Sequence, residues 1–162
     1  MPAITRIYAR EVVEGIATFE YDAPGDAEMM RRYKERVEAG YPSLVAEVDG
    51  EIAGYAYAGP FHARPGYRFT VEDTIYLAPA FQRMGVGTKL LNGLINECTA
   101  RGYRQMLALI GDSANAGSIG LHRRCGFVHA GNWTSAGWKF GRWIDVVVMQ
   151  RALGDGDDRP AS

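Results

Sequence analysis

At 162 residues, 47% hydrophobic and 23% charged, the chain has the size and composition of one globular domain with a sizeable core. Its 18 Lys plus Arg against 19 Asp plus Glu leave a formal net charge of -1, which gives no electrostatic footprint for nucleic acid or an anionic membrane. No stretch reaches the ~20 apolar residues of a bilayer span, and the start lacks the pattern of a secretory signal. Two cysteines, Cys98 and Cys125, without metal-like spacing, read as small buried hydrophobes in a reducing compartment. A cytoplasmic protein without a metal is expected.

In chain order, Ile4, Ile7, Tyr8 and Val12 recur at helical spacing and predict a helix over 3–14. A second helix is predicted over 26–39, capped by Asp26, with Met29, Met30, Tyr33 and Val37 as its apolar stripe and Gly40 ending it. The period then shortens: 43–48 and 51–59 flank Asp49-Gly50, a strong hairpin signal. Beyond Pro60 and the Arg64-Pro65-Gly66-Tyr67 loop, 68–77 reads as a long strand. A third helix, 86–101, sets Val86, Leu90, Leu91, Leu94, Ile95 and Cys98 on one face and closes at Gly102. An apolar strand over 105–110, a short helix over 115–125 and strands near 127–134 and 139–150 follow. The composition of 154–162 predicts a disordered tail, so one domain is expected to span 1–153. Two helices, a hairpin and then strand–helix–strand–helix–strand describe a mixed α/β sheet flanked by helices.

Gln82-Arg83-Met84-Gly85-Val86-Gly87-Thr88 lies between the strand ending near Leu77 and the helix starting at 86. Glycines at 85 and 87 leave backbone N–H groups bare at a helix N-terminus, where the dipole favours a phosphate or pyrophosphate. No Gly-Lys-[Ser/Thr] follows and a third glycine is missing, so this is neither a Walker loop nor a Rossmann fingerprint. Glycines before a helix are also ordinary turn residues, so the segment alone is a weak signal.

The pattern Gln/Arg-x-x-Gly-x-Gly between a strand and a helix resembles the pyrophosphate-binding motif of the GNAT acetyltransferases. Asn115 and Ser118, ahead of Leu121-His122-Arg123-Arg124-Cys125-Gly126-Phe127, are similar to a second motif of that family, in which Asn and a nearby hydroxyl contact the pantetheine or phosphate arm. YPSLVAEVDGEIAGYAYAGPF, RFTVEDTIYL and GWKFGRWIDVVVMQ resemble the phosphinothricin and methionine sulfone/sulfoximine acetyltransferase group over nearly the whole chain. The resemblance implies a GNAT fold, acetyl-CoA as cosubstrate and a small amino-acid-like acceptor. One departure stands out: members of this group open with a strand before the first helix, and here that first edge strand is expected to be missing.

The resemblance also implies roles. Gln82, Arg83, Met84, Gly85, Val86, Gly87, Thr88, Asn115 and Ser118 would hold the coenzyme, and the backbone of Ile75, Tyr76 and Leu77 would pair with its pantetheine arm. Glu72 matches the family's general base, against the plainer reading of a solvated strand carboxylate. Asp73 alternates to the opposite face and is the poorer candidate. His122 stands where many relatives carry a proton-donating tyrosine, and it serves equally well as an acid or as a packed residue shaping the thiol end. Arg68, Thr70 and Glu72 fall at strand spacing on one face, and an arginine suits an acceptor carboxylate. Phe19 resembles an aromatic of the acceptor pocket, with Gly66 and Tyr67 in the adjoining loop. The aromatic, basic run Lys139-Phe140-Gly141-Arg142-Trp143 would close that pocket and meet a second subunit, so a homodimer is expected. Two other readings stay open: a non-catalytic acyl-CoA-binding module, and an enzyme acting on a polyamine or a protein N-terminus.

Overall fold

A computed structural model describes residues 1–160 of the chain. Helices α1 (Pro2–Glu14) and α2 (Asp26–Glu38) come first, then strands β1 (Ser43–Val48), β2 (Glu51–Pro60) and β3 (Thr70–Leu77). Helix α3 (Val86–Ala100), strand β4 (Gln105–Gly111), helix α4 (Ala116–Arg124) and strands β5 (Val128–Lys139) and β6 (Arg142–Ala152) complete the order. The six strands form one sheet, β1-β2-β3-β4-β6-β5, with β1 at one edge and β5 at the other. Among the described residues no strand precedes α1, and the sheet is mixed α/β as expected from the sequence.

Strand alternation builds two layers of core. On β2, Ala56 and Ala58 enter the cluster of Leu90, Leu91, Leu94 and Phe127, beneath α3 and α4. Tyr55 and Tyr57 point the other way and pack with Tyr8, Val12 and Met29 of α1 and α2. The same parity runs along β3: Val71, Ile75 and Leu77 join the first layer and Tyr76 the second. Glu72 therefore faces the α1–α2 side and Asp73 the α3–α4 side.

Where the chain needs a tight hairpin it uses positive φ. Asp49 (φ 51°) and Gly50 (φ 81°) turn β1 into β2, as their residue types predict. Phe140 (φ 52°) and Gly141 (φ 70°) do the same between β5 and β6. The sequence places a strand start at 139; instead Lys139 ends β5 and pairs with Arg142 across this turn.

Two other expectations change. Arg68 is not in the strand. Pro65–Tyr67 forms a 3-10 turn, with Tyr67 N–H donating to the Arg64 carbonyl and Arg68 N–H to that of Pro65. Pro65 fixes the φ that this turn needs, and Arg68 is left at φ -58°, ψ -20°, outside the ladder. The tail over 154–160 is not featureless either. Arg104 donates to the carbonyls of Gly156 (3.4 Å) and Pro160 (3.3 Å) and lies 3.8 Å from Asp155, which gathers those residues into turns behind the buried Leu153. Residues 161 and 162 lie outside the described residues.

Candidate active site

The parallel pair β3–β4 marks the site. Residues 70–73 pair with 105–108, and there the pairing stops. Both strands continue, β3 against β2 as far as Leu77 and β4 against β6 as far as Gly111, but no longer against each other. The two strands splay, and the inner edge of β3 over 74–77 is left with peptide groups that a guest chain can pair with, as a strand would. Ile75, Tyr76 and Leu77 are the residues expected to do so.

At the open end of this fork stands the N-terminus of α3. Gly85 is its N-cap at φ 80°, and the first intrahelical bond to form is Lys89 N–H to the Gly85 carbonyl. The N–H groups of Val86, Gly87 and Thr88 therefore lack helical partners, and the first turn carries no acidic residue. Nothing would meet a Cβ at Gly85, so the cradle opens outward. Arg83 (φ 62°) is exposed beside it, flanked by Gln82 and Met84. A diphosphate fits this chemistry. Gly87 has a different job: a Cβ there would lie 3.0 Å from Leu77 and 3.3 Å from Leu121, so its bareness lets α3 pack closely against β3 and α4.

Across the fork, Asn115 caps α4, its Oδ1 accepting from Ser118 N–H at 3.1 Å. That oxygen is thus committed to the helix. Ser118 reaches His122 instead, its carbonyl 2.8 Å from Nδ1 and its hydroxyl 3.4 Å away.

Glu72 stands one residue before the splay, half-buried on the α1–α2 side. Burial, then the neighbouring charge of Asp73, raises its pKa to about 7. Asp73, the last paired residue, points to the opposite face, where its Oδ2 lies 3.1 Å from His122 Nε2 and its Oδ1 has no partner among the described residues. His122 is 2% exposed. Its Nδ1 faces the Ser118 carbonyl and its Nε2 the Asp73 carboxylate, so both ring nitrogens are engaged within the protein. Burial works to lower its pKa, but the Asp73 hydrogen bond and charge, with the Ser118 carbonyl, raise it overall. Of the two readings open for His122, this geometry favours the packed one, because neither nitrogen is free to serve a thiolate. The Asp73 partnership was not visible in the sequence, where strand alternation alone argued against that residue.

On the acceptor side, the segment after α1 crosses the end of β4 so closely that a Cβ on Gly111 would collide with the Ile16 carbonyl. Phe19 then lies against Gly137 of β5, where any side chain would collide with its ring. Thr70 opens β3 on the same face as Glu72. Tyr67 stacks edge-on with Phe61 at 5.4 Å, Gly66 is exposed beside it, and the Arg68 guanidinium lies 4.3 Å over the Phe69 ring while reaching the Pro65 carbonyl. The strand-face clamp of Arg68, Thr70 and Glu72 is therefore not formed as drawn from spacing. No group of three or more His, Cys, Asp or Glu residues suited to a metal occurs among the described residues, and no described helix is long and apolar enough to cross a membrane.

A splayed parallel pair with a bare helix N-terminus at its mouth has the shape and chemistry that suit an acyl-coenzyme A transferase. Residues 7–127 match the Acetyltransferase (GNAT) family, and the chain belongs to that family as an N-acetyltransferase. It is 52% identical over 157 residues to a phosphinothricin N-acetyltransferase of Alcaligenes faecalis, covering 97% of this chain and 80% of the relative. It is 40% identical over 151 residues to an L-methionine sulfoximine/L-methionine sulfone acetyltransferase of Salmonella typhimurium, covering 93% and 88%. Among solved structures, a phosphinothricin acetyltransferase from Sinorhizobium meliloti in complex with acetyl-CoA matches with a TM-score of 0.93 at 45% identity, over 98% of this chain and 85% of that one.

Proposed function

We propose that the chain, as one catalytic domain over 1–153, transfers the acetyl group of acetyl-CoA to the amine of a small amino-acid-like acceptor such as phosphinothricin, methionine sulfoximine or methionine sulfone. Transfer is direct, in a ternary complex, with Glu72 as the base. The observation that carries this reading is the Glu72 carboxylate, with a pKa of about 7, at the point where β3 and β4 part. An α-amino group is largely protonated at neutral pH, so it must lose a proton before it attacks, and a carboxylate with that pKa takes one, directly or through a water. The acetyl thioester supplies the electrophile. The inner-edge N–H groups of β3 polarise its carbonyl, and the first-turn N–H groups of α3 with Arg83 hold the diphosphate. Glu72 takes the first proton from the ammonium; as the C–N bond forms, the C–S electron pair leaves on the coenzyme A sulfur, which ends as the thiol with the second amine proton. Asp73 and His122 act behind these groups, fixing β3 to α4. Cys98 is buried on α3 and burial raises its pKa to about 12, which argues against an acetyl-cysteine route.

Thiol release measured with a panel of acceptors tests the reading. Phosphinothricin, the two methionine derivatives and ordinary amino acids are expected to support acetyl-CoA-dependent turnover, and their decarboxylated amines to do so poorly. Turnover with polyamines or N-terminal peptides alone would transfer the site to another acceptor class, and acetyl-CoA binding without any turnover would reduce the chain to a binding module.

A homodimer belongs to the same proposal. Val128, Trp133, Trp138, Phe140 and Trp143 are exposed along the β5–β6 hairpin at the sheet edge, an apolar surface suited to a second copy. Molar mass in solution should be twice that of the chain; a monomer at micromolar concentration would remove the dimer. The cytoplasm remains the expected location.

A further inference from the structure

Lys139 is 1% exposed at the end of β5, yet it is a lysine. Its Nζ donates to the carbonyls of Gly15 (2.8 Å), Thr18 (2.8 Å) and Glu11 (3.4 Å). Those carbonyls belong to the C-terminal end of α1 and the segment that follows. The last turn of α1 has no basic residue of its own, so the negative end of its dipole meets a cation that arrives from the far end of the chain, which shares the Glu11 carbonyl with Gly15 N–H. An ammonium taken out of water is costly unless each proton finds an acceptor, and an apolar side chain would fill the same space more cheaply if filling were all that mattered. Three carbonyls for three N–H bonds satisfy it fully.

What those carbonyls position is the segment 15–19. It is also stitched by Ala17 N–H to the Glu11 carboxylate (3.0 Å) and by Thr18 to the Tyr8 hydroxyl (3.0 Å), and Tyr21 donates to the Trp138 carbonyl at 2.6 Å. That segment leads to Phe19, 37% exposed and held against the bare backbone of Gly137, two residues before Lys139 on the same strand. We propose that Lys139 is a positioning residue for the acceptor: its ammonium fastens the segment 15–19 to β5 and thereby sets the Phe19 ring as a fixed wall of the acceptor side of the site. The idea rests on the acceptor reading given above and adds the group that sets this wall.

Lys139→Met keeps length and bulk while removing the three donors. KM for the best amino-acid acceptor should rise about tenfold or more, as small displacements of a positioning group do, while KM for acetyl-CoA and kcat at saturating acceptor stay within about threefold, because the fork and the α3 N-terminus are untouched. Amide hydrogen exchange should quicken over 16–20 and remain slow in β3 and β4. Gly137→Ala, which leaves the ammonium in place but displaces the Phe19 ring, should reproduce the acceptor effect. Unchanged exchange over 16–20 would overturn the proposal, as would equal changes in both KM values or a normal acceptor KM in both variants. If the wild-type chain acetylated no amino acid at all, the acceptor reading would fall separately, and the exchange comparison alone would decide whether Lys139 holds the segment.

Discussion

Glu72→Gln should lower kcat by roughly 10²–10⁴ while leaving KM for acetyl-CoA within about twofold. The amide has nearly the same shape, so the diphosphate cradle at Gly85 and the splayed edge of β3 remain as they are; what is lost is a proton acceptor. In the wild type, kcat/KM should climb with pH through about 7, the value to which burial and Asp73 raise this carboxyl, because only the ionised form is a base. Gln at 72 should flatten that limb. Turnover at pH 7 equal to that of the wild type would remove Glu72 from the role.

The same substitution should stabilise the protein, and in one pH range only. A folded-state pKa of about 7 against an ordinary 4.5 means that the native state binds the proton more tightly than the unfolded chain. The favourable contribution of the protonated form is complete below about 4.5 and is lost as pH rises through 7, where a charge must be held in a half-buried place. Gln never ionises and escapes that loss. At pH 8 the variant should be more stable by about 1–2 kcal/mol, a figure discounted for solvent screening of a partly exposed group, and at pH 4.5 the two should unfold together. Loss of activity with gain of stability is the pattern of a carboxylate kept for chemistry rather than for folding.

Much of the frame was legible because it is written locally. Asp49-Gly50 announces its hairpin, the apolar face from Val86 to Cys98 announces α3, and alternation along Thr70 to Leu77 puts Glu72 and Asp73 on opposite faces. Arg68 was misplaced for a reason also present locally: Pro65 three residues earlier starts a turn, and its hydrogen bonds keep Arg68 out of the ladder. Phe140-Gly141 carries a single glycine as its turn signal, set inside an aromatic, basic run that reads as strand. Three features had no local signature. The parting of β3 from β4 depends on parallel strands separated by a helix; Lys139 finds its carbonyls 121 to 128 positions away; Asp73 meets His122 at a separation of 49. Contacts at such range follow from topology, which no residue spacing encodes.

The Asp73–His122 pair gives the largest expected effect on stability. Both side chains are buried, and each imidazole nitrogen already has a partner within the protein. Asp73→Ala leaves His122 with a buried N–H facing nothing, so the ring must either stay charged without a counter-ion or give up its proton. Removing one member of a buried pair costs about 3–5 kcal/mol, which for a chain of this size lowers Tm by roughly 10 °C. The dependence on pH identifies the cause. The raised pKa of His122 means that its contribution is fully present below 6.5, the unfolded reference, and fades as pH rises through the folded value. The deficit of Asp73→Ala should therefore be greatest below about 6.5 and shrink in alkali. Asp73→Asn should behave differently: it keeps an oxygen for Nε2, costs less stability and removes the charge that helps to hold up Glu72, so the acid limb of kcat/KM should move to lower pH. A Tm deficit equal at pH 6 and pH 9 would mean that the pair is held as a neutral hydrogen bond. An acid limb unmoved by Asn would mean that burial alone sets the pKa of Glu72.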